Sequence, residues 1–300
     1  MKNILLFISF FFISFFVEGQ SLNGKVIDAI SQKPLIYANI ALNTKDKGVA
    51  SNEDGFFLFP EIEKYKKDSL IISYLGYQTK IVAIESFLLS KSNIIPLKPE
   101  TSSLDEVILE VKKARYTSEN KLKIKHKGLF SSSVPFGSEN VTYIENEKGK
   151  DGKVEKVILS FKEKKESSIK TYKAFFRVKF FEKQDSLFNP GKLLCYENII
   201  VKPLNKTYKI IIDLKEFNIK FPKNGIIVGL ETINPEPKAP SNSMYVVAPT
   251  LVKSHTNKPF SWSRYRGKQW YLNKRKSPFK KKYYTSLFIG LKVKYKKDEK

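Results

Sequence analysis

From residue 20 onward, apolar and polar side chains alternate with the period of two that marks half-buried strands. Leu70, Ile72 and Tyr74 alternate with Ile71 and Ser73, and similar short runs occur at 25–28, 36–42, 56–59, 80–84 and 94–97. Asp46-Lys47-Gly48, Asn52-Glu53-Asp54-Gly55 and Leu75-Gly76-Tyr77 separate them with turn residues. Short strands at that spacing predict an antiparallel sandwich. Only 61–67 and 84–89 could hold a helical turn or two. A second set of longer strands is expected at 154–162, 172–181, 198–201, 208–214, 225–232, 244–248 and 286–295. The pattern therefore predicts an all-β chain: a sandwich over 20–98, a polar linker over 99–120 and a larger β-sandwich over 121–300.

The first 19 residues follow a different rule. Lys2 is followed by an apolar run from Ile4 to Val17, broken only by Ser9 and Ser14, and then by Val17-Glu18-Gly19. The run is too short for the roughly 20 residues that span a bilayer as a helix, and its positive start is that of a cleaved signal peptide. The expectation is an exported protein starting near Gln20, with no transmembrane segment after signal removal. No cysteine follows the run to carry a lipid. The lone Cys195 lies in Leu193-Leu194-Cys195-Tyr196, where a buried, inert thiol is expected.

Four blocks in residues 21–98 carry a resemblance. They are Gly24-Lys25-Val26-Ile27-Asp28, Lys33-Pro34-Leu35-Ile36-Tyr37-Ala38-Asn39-Ile40, Gly48-Val49-Ala50-Ser51-Asn52-Glu53-Asp54-Gly55-Phe56-Phe57 and Ser69-Leu70-Ile71-Ile72-Ser73-Tyr74-Leu75-Gly76-Tyr77. In this order they resemble the carboxypeptidase-regulatory-like domain, a small transthyretin-like (prealbumin-like) Greek-key sandwich. That family is found beside the catalytic domain of some metallocarboxypeptidases and at the N-terminus of TonB-dependent outer-membrane receptors. The resemblance implies a structural role for Gly48, Gly55 and Gly76 as turn glycines and for Pro34 in a turn. Residues 101–109 look like the segment that precedes the receptor plug, although no plug or barrel follows here. The 174–233 stretch resembles second domains of exported bacterial proteins and implies a jelly-roll-like architecture.

Composition narrows the chemistry. One cysteine excludes an internal disulfide, and two histidines, His126 and His255, are too few and too far apart for a peptidase zinc site. Both histidines sit among polar neighbours and are expected at the surface. Neither has a Gly-x-Ser-x-Gly elbow to serve. Asn52-Glu53-Asp54-Gly55 is a turn rather than an ion loop, because Ala50 occupies the first ligand position. No catalytic, cofactor or metal residue is assigned, and a non-enzymatic protein is expected.

The formal charge is +24, and it is uneven. Residues 253–300 hold sixteen Lys or Arg against Asp298 and Glu299. Nucleic acid is not the expected partner: only five arginines accompany 49 lysines, and base readers rely on bidentate arginine. An envelope protein, an anionic glycan or lipopolysaccharide fits better, against the plain alternative of a lysine-rich soluble surface. Both tryptophans lie in Phe260-Ser261-Trp262-Ser263-Arg264-Tyr265-Arg266-Gly267-Lys268-Gln269-Trp270-Tyr271. Trp262, Arg264, Arg266, Trp270 and Tyr271 are the candidate ligand-binding residues, by stacking and charge. The competing reading places Trp262 and Trp270 in the second core. Functionally, the sequence points to an exported binding or assembly protein in the periplasm or at the outer membrane of a Gram-negative bacterium. The alternatives are a secreted carbohydrate-binding module or a hydrolase of unrecognised type in 121–300.

Overall fold

The computed structural model describes residues 21–90, 93–100, 114–165, 168–184, 189–236, 240, 245–274, 276–277 and 279–297. The expected signal peptide, 1–19, and the segment 101–109 that resembles the receptor segment lie outside the described residues. Among those described, no helix is long and apolar enough to cross a membrane.

The N-terminal sandwich is built from β1 (Leu22–Asp28), β2 (Asn39–Leu42), β3 (Gly48–Ala50), β4 (Phe56–Phe59), β5 (Ser69–Ser73), β6 (Lys80–Ala83) and β7 (Ile94–Leu97). One sheet runs β4-β1-β7 and the other β3-β2-β5-β6. Period-two patterning explains the packing. Leu70 and Ile72 of β5 turn inward onto Val26, Ile40, Leu42 and Phe57, while Ser69, Ile71 and Ser73 stay half-buried. Each such aliphatic side chain contributes about 1.5–3 kcal/mol by leaving water. The pairing is not wholly antiparallel, since β1 and β7 run parallel. The two expected helical turns form, as a 3₁₀ turn at Ile62–Tyr65 and a short α-helix at Ile84–Leu88. Gly55 and Gly76 do take positive φ, but Gly48 does not; it lies within β3, and its role is different, as shown below.

The rest of the chain begins with β8 (Asn120–Lys123), β9 (Leu129–Ser132), β10 (Ser138–Ile144), β11 (Gly152–Lys162), β12 (Thr171–Lys173) and β13 (Phe175–Gln184). It continues with β14 (Asn189–Leu193), β15 (Ile200–Val201), β16 (Tyr208–Asp213), β17 (Lys220–Phe221) and β18 (Ile226–Ile233). The last strands are β19 (Val246–Ala248), β20 (Thr250–Thr256), β21 (Ser261–Tyr265), β22 (Tyr271–Leu272), β23 (Tyr284–Leu287) and β24 (Gly290–Tyr295). One sheet is ordered β14-β13-β18-β10-β21-β22; the facing sheet is ordered β23-β20-β11-β24-β8. Between them Val157, Phe176, Phe180, Val228, Leu230 and Leu291 anchor the larger core. The chain is thus all-β, with one main core inside each sandwich.

Further expectations change in this part of the chain, beginning with 172–181, which divides at Ala174 into β12 and β13. The run 286–295 is two strands, because Phe288 and Ile289 turn the chain between β23 and β24. His255 is buried, not exposed: its ring stacks on Phe130 with centroids 4.8 Å apart. The end of the 99–120 linker is paired, since Thr117 N donates to Tyr295 O and Lys297 N to Arg115 O, beside β24. Cys195 is buried in the larger core, where desolvation pushes its thiol up.

Candidate functional site at the junction of the two sandwiches

Alternation along β10 and β21 sends two different sets of side chains to opposite faces of their sheet. On the outer face, Arg177 of β13 lies opposite Glu231 of β18, Glu231 opposite Glu139 of β10, and Glu139 opposite Arg264 of β21. Two carboxylates side by side repel each other unless cations intervene. Here they do. Arg177 Nη1 lies 2.8 Å from Glu231, and Arg264 donates through Nε and Nη2 to the two oxygens of Glu139 at 2.9 Å each. Lys179 Nζ bridges both acids, at 2.8 Å from Glu231 and 2.9 Å from Glu139. Burial alone would push both carboxyls up. For Glu139, Lys179 and Arg264 outweigh it, and for Glu231, Lys179 and Arg177 do, so both stay below the usual carboxylate range.

The N-terminal sandwich docks on this row. Asn39 Nδ2 donates to Glu231, and Arg177 Nη2 donates to the carbonyl of Tyr37 at 2.8 Å. Arg266 reaches the other way. Its Nη1 donates to Asn39 Oδ1 at 2.9 Å and Val49 O at 2.6 Å, and its Nη2 to Gly48 O at 3.0 Å. The guanidinium passes between two glycines, one from each sandwich. A Cβ on Gly48 would stand 2.6 Å from Arg266 Cδ and 2.5 Å from the Ile40 carbonyl, and one on Gly137 would stand 2.6 Å from Arg266 Cγ. Gly48 therefore makes room for an arginine of the other sandwich. Tyr37, Phe175 and Ile233 add a small apolar cluster beside the row.

The inner face of the same two strands is polar where a core would be apolar. Ser138 lies opposite Tyr265, Asn140 opposite Ser263, and Thr142 opposite Ser261. Lys253 of β20 enters the same space from the facing sheet. A groove of about 400 Å³ results, and a smaller one of about 210 Å³ shares Asn140 and Lys253 with it. The mouth is made by Arg264, Tyr271, Lys268 and Asp46, the last from the β2–β3 loop of the N-terminal sandwich. Lys268 Nζ lies 3.0 Å from Asp46 and ties the two sandwiches there.

The five candidate residues scatter over these environments. Trp262 is fully buried with Val141, Phe181 and Ile227, so it offers no stacking face. Trp270 is half-buried, with the Arg264 guanidinium 4.2 Å over its ring and Phe181 edge-on. Arg266 is buried in the docking contact rather than displayed to a ligand. Arg264 and Tyr271 line the groove, and Tyr271 is 63% exposed. Lys253, Asn140 and Ser138 escaped sequence reasoning, because Ser and Asn in a strand read as a solvent face. One signal was available: among 49 lysines, three of the five arginines, Arg177, Arg264 and Arg266, sit where a planar, multi-donor cation is required.

With the geometry in place, one comparison identifies the first sandwich. Residues 22–109 match the CarboxypepD_reg-like domain family. That family is non-catalytic and prealbumin-like, and the two-sheet packing of β1–β7 agrees with such a sandwich. The match ends before the β-structure that carries the groove, so the domain contributes the docking surface and Asp46, while the remaining strands supply the pocket. No curated protein matches the chain. Among the described residues, no group of three His, Cys, Asp or Glu side chains could hold a metal ion.

Proposed function

We propose that this chain is a non-enzymatic binding or assembly protein, exported to the periplasm or outer membrane of a Gram-negative bacterium, whose ligand is an anionic glycan of the envelope. The CarboxypepD_reg-like domain acts in this reading as a fixed buttress that completes the groove mouth. The observation that carries it is the groove itself: a polar cleft with Lys253 and Lys268 on its walls and Asp46 as the only acid among the described residues that line it. The sixteen basic residues of 253–300 favour the same sign of ligand, and the apolar run at 4–17 supports export.

The test is retention of the purified mature chain on arrays of anionic and neutral glycans, including lipopolysaccharide, at rising ionic strength. Retention on the acidic members should weaken with salt, because surface lysines act through a field screened over roughly 8 Å near physiological salt. A contribution that salt barely touches should remain and should be lost in Tyr271→Ala, which removes the exposed ring at the mouth. Equal retention on neutral glycans would favour a general carbohydrate-binding module. Retention of an envelope protein but no glycan would favour assembly.

A further inference from the structure

Four buried or half-buried cations on the outer face of the sheet are all matched: Arg177, Lys179 and Arg264 by carboxylates, and Arg266 by carbonyls and an amide. Lys253 is the exception. Its side chain lines both grooves, and among the described residues its Nζ has neither a carboxylate within ion-pair distance nor a hydrogen bond. Burial alone acts on it, and lowers its pKa. Leaving an ammonium in a cavity without a counter-charge costs stability, and such sites cluster at functional clefts.

The groups around it define what would complete it. Ser138 and Asn140 face the groove with no side-chain hydrogen bond of their own among the described residues. Deeper in, the polar groups are already engaged: Thr142 with Ser286, Ser261 with the Thr285 carbonyl, and Ser263 with Asn273. Free hydroxyl and amide groups beside one ammonium suit hydroxyls beside one anionic group. A zwitterion such as an amino acid fits badly, because Asp46, the one acid among the described residues of the wall, is held by Lys268. The Arg264 charge is likewise taken by Glu139. Tyr271 supplies an exposed ring at the mouth for the apolar face of a sugar. The volume, about 400 Å³, falls in the range of about 300–1,000 Å³ usual for small-ligand pockets.

We propose that Lys253 is the anion anchor of an inter-sheet sugar pocket and takes the carboxylate or phosphate of one acidic sugar unit, whose hydroxyls are bound by Asn140 and Ser138. This rests on reading the groove as the binding site, and it assigns the ligand class and the residue that selects it.

Titration calorimetry of the full mature chain with glucuronate, glucose 6-phosphate, glucose and inorganic phosphate tests the assignment. At least one sugar anion should bind about tenfold or more tightly than glucose or inorganic phosphate, the loss expected when a charged hydrogen bond is absent. Which of the two anions binds separates a carboxylate from a phosphate source. Lys253→Met should remove that advantage, and the variant should fold, because it replaces an unpaired buried charge by an apolar chain of similar length. On the wild-type chain, amine acylation mapped by mass spectrometry should label Lys253 and show protection by the bound sugar anion but not by glucose. Equal affinity for glucose and both sugar anions, or unchanged sugar-anion binding in Lys253→Met, would overturn the anchor. Failure of every sugar to bind or to protect Lys253 would overturn the pocket. Lipopolysaccharide retention that survives Lys253→Met would defeat this inference while leaving the envelope reading intact. Sugar-anion binding without any glycan retention would do the opposite.

Discussion

A single side chain in this protein is defined more by the face it occupies than by its type. Trp262 and Tyr271 lie nine positions apart on paired strands, yet one is sealed and the other open. Trp262→Ala should therefore cost about 3–5 kcal/mol in urea unfolding, as large-to-small core changes do. Tyr271→Ala should stay within about 0.5 kcal/mol of wild type. Lys253 allows a prediction with a sign. Its folded-state pKa is depressed, so folding is opposed while the unfolded amine is protonated, fully so below the folded value. That penalty fades as pH rises and is gone above the unfolded value near 10.5. Lys253→Met should unfold at or above the wild-type midpoint near neutral pH, with the gap closing in strong alkali. A midpoint well below wild type at neutral pH would mean that Lys253 is already paired in the folded state.

At the scale of elements, legibility in the sequence follows the chemistry of the strand interior. β5, β13 and β18 were readable because apolar side chains recur inside them. β10 and β20 were not, because Ser138, Asn140 and Thr142 on one, and Lys253 on the other, face inward where an apolar residue is expected. Thus the strands that wall the groove are those that the hydrophobic pattern overlooks. Gly229 of β18 is the tightest point between β18 and β10. A Cβ there would lie 2.1 Å from the Asn140 carbonyl and 2.5 Å from Val141 Cα, both backbone atoms that cannot step aside. Gly229→Ala should cost about 1–3 kcal/mol, the range of overpacking, by parting β18 from β10. It should also weaken sugar-anion binding, since Asn140 moves with β10; an unchanged thermal midpoint would show that the pairing adapts.

At the scale of the molecule, Arg177 and Glu231 of the buried row, with Arg266 beside it, bond the two sandwiches to each other. Two strand sets, over 20–98 and 121–300, joined by a polar linker would by themselves be expected to unfold independently. A buried contact of this kind instead leads to a single cooperative urea transition, and two separate transitions would restore independence. Arg177→Met leaves Glu231 short of one partner and removes the donor to Tyr37 O, so a loss of about 3–5 kcal/mol is expected. Acid titration has a defined direction. The depressed carboxyls of Glu139 and Glu231 stabilise the folded state above their unfolded value of 4.5, and that contribution falls only as pH drops toward their folded values. The junction should therefore persist near pH 4 and come apart only in stronger acid, followed by tryptophan fluorescence of Trp270 beside Arg264. Separation already near pH 5 would show that the network is not holding those charges.

Local information determined a good deal: alternation set the all-β class, and four motif blocks set the identity of the first sandwich. Period and turn chemistry act between neighbours in the chain, so they survive in a bare sequence. The charge excess of the last 48 residues was also legible, as a sum over composition. What only the tertiary structure decided is which polar residues meet. Asn39 finds Glu231 across 192 positions, and Arg266 finds the Val49 carbonyl across 217. A hydrophobic side chain needs only an interior, whereas an ion pair or an anion pocket needs particular partners at about 3 Å. Those partners come from strands whose spatial order, β13-β18-β10-β21, differs from their order in the chain.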